Sequence, residues 1–295
     1  MTLAAAVVFL NEEELLPGML ASLERQRRSP QLLLLVDDGS DDRSGEIAAA
    51  FAARHPYARV FTQAGRPESA DRLARAAELI AFQSALARLE SEDLRFDVYA
   101  KLDADLELPV DYFARLMHAF ENEPRVGIAG SQLSLPGTDG APRLERSQSW
   151  HVRGATKFYR RECLQAIQPL PPILGWDTID ETRAQIHGFI VRSIDFPENP
   201  PLHLRATGSY DGVVRGFHRR GAAAWGYGAH PLNVLVSSLV RLRQRPRVVG
   251  GLAYLVGWLG ACARRAPRVE PDTRRHLRRQ QLRRLRTALA RPSTT

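Results

Sequence analysis

The chain has 295 residues, 44% of them hydrophobic, which is enough to fill the core of one large α/β domain or two smaller ones. Its two cysteines, Cys163 and Cys262, have neither disulfide-framework nor metal-cluster spacing, so a small disulfide scaffold is excluded and a reducing cytosolic setting is the simplest expectation. The formal net charge of +8 is unevenly spread: residues 241–295 hold fifteen arginines against Glu270 and Asp272, and the rest of the chain is mildly acidic.

The apolar run Ala4 to Leu10 leads straight into Asn11-Glu12-Glu13-Glu14, which reads as a buried first strand rather than a secretory leader. Helical spacing then covers Leu15 to Arg25. A second strand is expected at Leu32 to Val36 and a helix at Gly45 to Arg54, giving the βαβα order of a mostly parallel, helix-covered sheet. Further strands are expected at Ala58 to Phe61, Phe96 to Leu102 and Val126 to Leu135. Helices are expected between them, from Ser69 to Glu90 and from Val110 to Asn122. Gly137-Thr138-Asp139-Gly140 reads as a turn, Pro169 to Pro172 as a loop, and Thr182 to Phe189 as a helix that Asp180 or Glu181 could cap.

From Pro231 the texture changes. Leu235, Leu239 and Leu242 keep helical spacing, arginines bracket Pro246, and Val248 to Ala263 is almost uncharged. Sixteen helical residues rise about 24 Å, short of the hydrocarbon core, so an in-plane or re-entrant pair of helices is expected over a single span; a buried core helix is the plainer alternative. Leu282, Leu285 and Leu289 line the arginine-rich stretch beyond, which is expected to meet anionic head groups; nucleic acid is disfavoured because no aromatics are interleaved. The expected division is a domain over 1–230 and basic amphipathic membrane-associating helices over 231–295.

Two acidic clusters lie at strand ends. In Val36-Asp37-Asp38-Gly39-Ser40-Asp41-Asp42, Ser40 or Asp41 can cap the next helix, which leaves Asp37 and Asp38 for ligand contact. In Lys101-Leu102-Asp103-Ala104-Asp105, the two aspartates point to one side of an extended segment and would repel unless a cation sits between them. Lysine occurs only at Lys101 and Lys157, which marks both as places where a compact ammonium is required.

The ordered set Val7-Val8-Phe9-Leu10-Asn11-Glu12-Glu13, Val36-Asp37-Asp38-Gly39-Ser40 and Lys101-Leu102-Asp103-Ala104-Asp105 resembles the family 2 glycosyltransferases of GT-A fold. The resemblance extends through Arg153-Gly154-Ala155-Thr156-Lys157 and Gly175-Trp176-Asp177-Thr178-Ile179-Asp180-Glu181, covering about residues 4 to 230. It implies a twisted, mostly parallel sheet with helices on both faces. It also implies a donor site for a UDP-, GDP- or dTDP-sugar lined by Asn11, Glu13, Asp38, Lys101, Asp103 and Gly154. By the same resemblance Asp103 and Asp105, with His203 as a further ligand, hold Mg²⁺ or Mn²⁺, in keeping with the preference of hard cations for oxygen. Asp180 is favoured over Glu181 as the base of an inverting transfer. Trp176, if not a core residue, stacks on a sugar, and Arg205 reaches a diphosphate or an acceptor phosphate.

The sequence carries neither the Gln-x-x-Arg-Trp signature nor the multiple spans of processive synthases, so one sugar is expected per encounter. The basic tail points to a polyprenyl-linked saccharide acceptor of bacterial polysaccharide assembly, met at the cytoplasmic face of the plasma membrane. Two competitors are a membrane-attached subunit that binds nucleotide sugar without catalysis, and a phosphatase of the haloacid dehalogenase type with Asp103 as nucleophile.

Overall fold

The computed structural model describes residues 1–63, 76–137, 141–144, 151–205, 212–243 and 247–290. The turn expected at 137–140, the start of the helix expected from Ser69, Arg245, Pro246 and the side chain of Leu289 lie wholly or partly outside these residues. By internal contacts the chain divides into two compact units. One takes the chain up to Pro169 and resumes at His187; the other takes Leu170–Ile186 and the C-terminal helices.

In the first unit the elements begin with β1 (Leu3–Phe9), α1 (Leu16–Glu24), β2 (Leu32–Asp37), α2 (Ser44–Arg54), β3 (Ala58–Thr62) and α3 (Ala77–Ser91). They continue through β4 (Val98–Asp103), β5 (Leu106–Glu107), α4 (Tyr112–Asn122), β6 (Val126–Ser131), β7 (Ser134–Leu135), β8 (Arg143–Leu144), β9 (Thr156–Arg160) and α5 (Arg161–Ile167). After the excursion into the other unit come β10 (Ile190–Ile194) and β11 (Leu202–His203). Seven strands form one sheet in the order β10-β6-β9-β4-β1-β2-β3, parallel except for β9. A second sheet has the order β5-β11-β7-β8.

All seven residues of β1 and all six of β2 are buried, as unbroken apolar runs between helix layers require. On α4, Tyr112, Phe113, Leu116, Met117 and Phe120 recur at helical spacing and form the stripe that meets the core. The strand expected from Val126 to Leu135 is interrupted at Gln132-Leu133: its second part, β7, leaves the large sheet and pairs with β8 and β11.

The second unit holds α6 (Trp176–Ile186), α7 (Val213–Gly226), α8 (Pro231–Leu242), α9 (Val249–Ala263) and α10 (Pro271–Ala290). Here α9 packs on α7 at backbone distance: a Cβ on Gly221 would lie 1.9 Å from the Tyr254 carbonyl oxygen, and one on Gly257 2.0 Å from that of His218. This close packing draws α7 into the same unit as α8 and α9, whereas the sequence places a boundary at 230 between them. The sequence expects a helix from Thr182; α6 instead starts at Trp176, so Asp180 and Glu181 lie inside it rather than at its start. In α10, Leu277 and Gln281 are buried and Gln280 bonds to Gln185 of α6, so this helix is packed along one side rather than laid wholly on a surface.

Candidate active site

The β1–α1 and β2–α2 loops, at the carboxyl ends of neighbouring strands, are fastened to each other. Asn11 Oδ1 accepts the Asp41 N–H (2.8 Å), Glu13 Oε2 accepts the Arg43 N–H (3.2 Å), and in return Ser40 Oγ and Asp42 Oδ2 accept the N–H groups of Asn11 and Glu13 (both 3.0 Å). Asp37, expected to contact ligand, turns inward: its Oδ1 accepts from the N–H groups of Gly39 and Ser40 and from the Ser40 hydroxyl, shaping a turn that Gly39 completes at φ 86°. Neither Ser40 nor Asp41 caps α2; Asp42 Oδ1 takes the Ser44 N–H instead (2.9 Å). Asn11 and Glu13, expected on the donor, thus spend their side chains holding the loop. Asp38, buried at the end of β2 with its N–H on the Phe9 carbonyl, stands beside them.

Beside these loops β4 delivers Lys101, Asp103 and, just past its end, Asp105. The Lys101 ammonium, 1% exposed, donates to Asp103 Oδ1 and to the Gly154 carbonyl oxygen (3.0 Å). Its cross-strand partner on β9 is Lys157, also buried, so the chain's two lysines are neighbours in the central sheet.

The return of the chain through β11 closes the cluster. His203 pairs with Leu106 of β5, and the Leu204 N–H bonds to the Asp105 carbonyl (2.9 Å). This brings His203 Nε2 to 3.4 Å from Asp105 Oδ2 and Arg205 Nε to 3.3 Å from the same oxygen. A second Arg205 nitrogen bonds to Glu12 Oε1. Arg205 therefore meets carboxylates of the site, where the sequence expects a phosphate. Glu12 is the residue that sequence reasoning passed over; only its place between Asn11 and Glu13 on the first strand end could have pointed to it.

The electrostatics follow the geometry. Burial pushes the Glu12 carboxyl above its ordinary value, against the pull of Arg205. Burial also raises Asp103, with Lys101 opposing. For Asp105 burial acts upward too, but the hydrogen bonds and charges of His203 and Arg205 outweigh it and hold the carboxyl below its ordinary value. Lys101 and Arg205 offset part of the charge of the three acids, with the His203 ring beside Asp105. Among the described residues no group of three His, Cys, Asp or Glu side chains is placed to hold a metal alone. Two hard carboxylates with an imidazole beside them suit Mg²⁺ or Mn²⁺ that brings phosphate oxygens and water as its remaining ligands.

In the second unit Asp180 and Glu181 are buried, at 0% and 4% exposure, and Asp180 Oδ1 accepts the Glu181 N–H (2.5 Å). The charge of Glu181 acts on Arg284 of α10, whose guanidinium is lowered by burial and partly restored by that carboxylate. Trp176 is 3% exposed, the core placement of the two that the sequence allows.

Residues 5–78 match the family described as Glycosyl transferase family 2. That match spans about a quarter of the 295-residue chain. The fold is similar to that of a mannosyltransferase from Pyrobaculum calidifontis, solved with GDP-Man and Mn²⁺ (TM-score 0.55, 16% identity, covering 98% of this chain and 80% of that one). It is also similar to residues 1–349 of TarS from S. aureus with UDP-GlcNAc (TM-score 0.52, 14% identity, 88% and 72% covered). A third likeness is to GalNAc-T7 with UDP, GalNAc and Mn²⁺ (TM-score 0.54, 14% identity, 83% and 52% covered). No curated protein matches the chain by sequence. The fold is of GT-A type.

Proposed function

We propose that the protein is an inverting, metal-dependent glycosyltransferase that moves one sugar from a nucleoside-diphosphate sugar to an acceptor hydroxyl. The observation that carries this reading is the convergence of Asp103, Asp105, His203, Arg205 and Glu12 at the carboxyl end of the central sheet, beside Asp38. Open parallel sheets bind ligands at that end. The family match and the three structures solved with nucleotides or nucleotide sugars support the same class of donor.

In this reading Asp38 accepts from the base or ribose, and Asp103 and Asp105 would hold Mg²⁺ or Mn²⁺ with His203 alongside. Bound there, such an ion neutralises the charge that grows on the departing diphosphate. Lys101 fixes the Asp103 carboxylate. Arg205, once released from Glu12, offers its planar donors to diphosphate oxygens. Asp180 takes the proton of the acceptor hydroxyl as that oxygen bonds to the anomeric carbon and the bond to diphosphate breaks with its electron pair. Glu181, engaged with Arg284, serves the helix rather than the proton.

The acceptor in this proposal is a polyprenyl-linked saccharide of bacterial polysaccharide assembly, approached from the cytoplasmic face of the membrane. The arginine-rich C-terminal helices support it. The test is release of nucleoside diphosphate from UDP-, GDP- and dTDP-sugars with Mn²⁺ and membrane extract as acceptor source. Sugar appearing in the lipid fraction is the expected result. Donor binding without release from any donor would favour the non-catalytic binding subunit.

A further inference from the structure

From Gly212 to Val269 the chain contains no Asp or Glu and ten arginines. This stretch contains α7, α8 and α9, and the three faces of α9 divide cleanly. Gly250, Tyr254 and Gly257 are buried, packed where Phe217, Gly221 and His218 of α7 meet them. Gly251 meets α8, and its carbonyl takes the Ser238 hydroxyl (2.8 Å). The third face has no such contacts: Leu252, Val256 and Leu259, at i, i+4 and i+7, are 52%, 56% and 51% exposed. On α8, Leu235 and Leu239 are 48% and 53% exposed.

Half-exposed apolar stripes on two packed neighbouring helices make a patch larger than scattered surface leucines produce. Its surroundings say what covers it. Arg243 and Arg247 are exposed where α8 turns into α9, and Arg264 and Arg265 are exposed at the other end of α9. No acid interrupts them. A second copy of the chain seated on this face would set arginine against arginine, whereas an anionic bilayer offers hydrocarbon to the leucines and phosphates to the guanidiniums. Arginines at both ends of a helix about 22 Å long place that helix along the surface. No helix of the described residues is long and apolar enough to cross a membrane.

We infer that the α8–α9 hairpin lies in the plane of an anionic lipid bilayer, with Leu235, Leu239, Leu252, Val256 and Leu259 in the acyl region and the flanking arginines on the head groups. This rests on the membrane attachment proposed above and deepens it by naming the residues of its surface on α8 and α9. It stands apart from the transfer chemistry, because binding to lipid requires no donor.

The full-length chain is sedimented with vesicles of phosphatidylglycerol and phosphatidylcholine, and with vesicles of phosphatidylcholine alone. Binding to the anionic vesicles, weakened by salt, is expected. Leu252→Glu/Val256→Glu and Leu235→Glu/Leu239→Glu should each weaken it by about tenfold or more while circular dichroism and Mn²⁺-dependent donor binding stay unchanged. Failure of the wild-type chain to bind anionic vesicles, folded double variants that bind as well as wild type, or a dimer that the variants split with vesicle binding intact would each overturn the inference. Lipid binding intact with no donor bound would instead count against the glycosyltransferase reading alone.

Discussion

Lys101 and Asp103 form an ion pair within β4, the ammonium 1% exposed and also bound to the Gly154 carbonyl oxygen. This pair explains how a strand can end with two carboxylates two residues apart. One is held by a lysine from its own strand, and the other, Asp105, is held by His203 and Arg205. The chain supplies counter-charge to each acid separately.

Lys101→Arg tests whether a compact ammonium is needed. A planar guanidinium has no room at a fully buried strand position and would displace Asp103. Donor affinity in the presence of Mn²⁺ is expected to fall by about tenfold, read by calorimetry, with little change in fold by circular dichroism. Unchanged affinity would remove the special role of lysine.

Arg205 sits on the oxygens that a metal would use. Arg205→Ala removes a cation from Asp105 and Glu12, so Mn²⁺ alone should bind about three- to tenfold more tightly, while the nucleoside-diphosphate donor binds more weakly for want of the guanidinium. The opposite signs of the two changes, measured by Mn²⁺ electron spin resonance and by donor titration, separate this from a loss of fold.

Metal binding should depend on pH in a stated direction. Burial raises Glu12 and Asp103 above their ordinary values, so protons occupy them at a higher pH than they would occupy solvated acids. Mn²⁺ affinity is expected to fall on acidification, beginning above the ordinary carboxylate range. Affinity flat through that range would show that neither acid takes part.

Asp180→Asn should lower sugar transfer by about a hundredfold or more and leave donor affinity intact, since a base acts on the acceptor proton. Glu181→Gln should retain most of the transfer rate and lower thermal stability, because it loses its charge opposite Arg284. The reverse pattern would assign the base to Glu181.

Gly221→Ala should destabilise the helical unit by about 2 kcal/mol, as the new methyl would press on the Tyr254 carbonyl of α9. Thermal melting followed by circular dichroism measures this; an unchanged transition would mean that α7 and α9 yield without cost.

The sheet and its acidic strand ends were legible because buried parallel strands leave unbroken apolar runs, and Asp-Gly and Asp-x-Asp mark where those runs stop. Helices α1, α2 and α4 were legible from their apolar spacing. What the sequence hid depends on partners far along the chain. Arg205 reaches Glu12 across 193 residues, and no local pattern announces that pairing. The same holds for Asn11 and Glu13, whose side chains turn to the N–H groups of a loop thirty residues away. Helix α6 was placed too late because Gly175 at φ 91° and the proline loop before it obscured the start at Trp176. In α9, nothing local in the sequence tells that two of the four glycines stand where the backbone of α7 or α8 comes close: Gly257 meets α7 and Gly251 meets α8.

The central claim is that Asp103 and Asp105 bind a nucleotide sugar through a divalent metal. Calorimetric titration of UDP-, GDP- and dTDP-sugars into wild type and Asp105→Asn, each with and without Mn²⁺, measures it most directly. The account predicts that at least one donor binds wild type with Mn²⁺, and that this binding is lost on removing either the metal or the Asp105 carboxylate. Binding that persists unchanged in Asp105→Asn, or that ignores Mn²⁺, would contradict it.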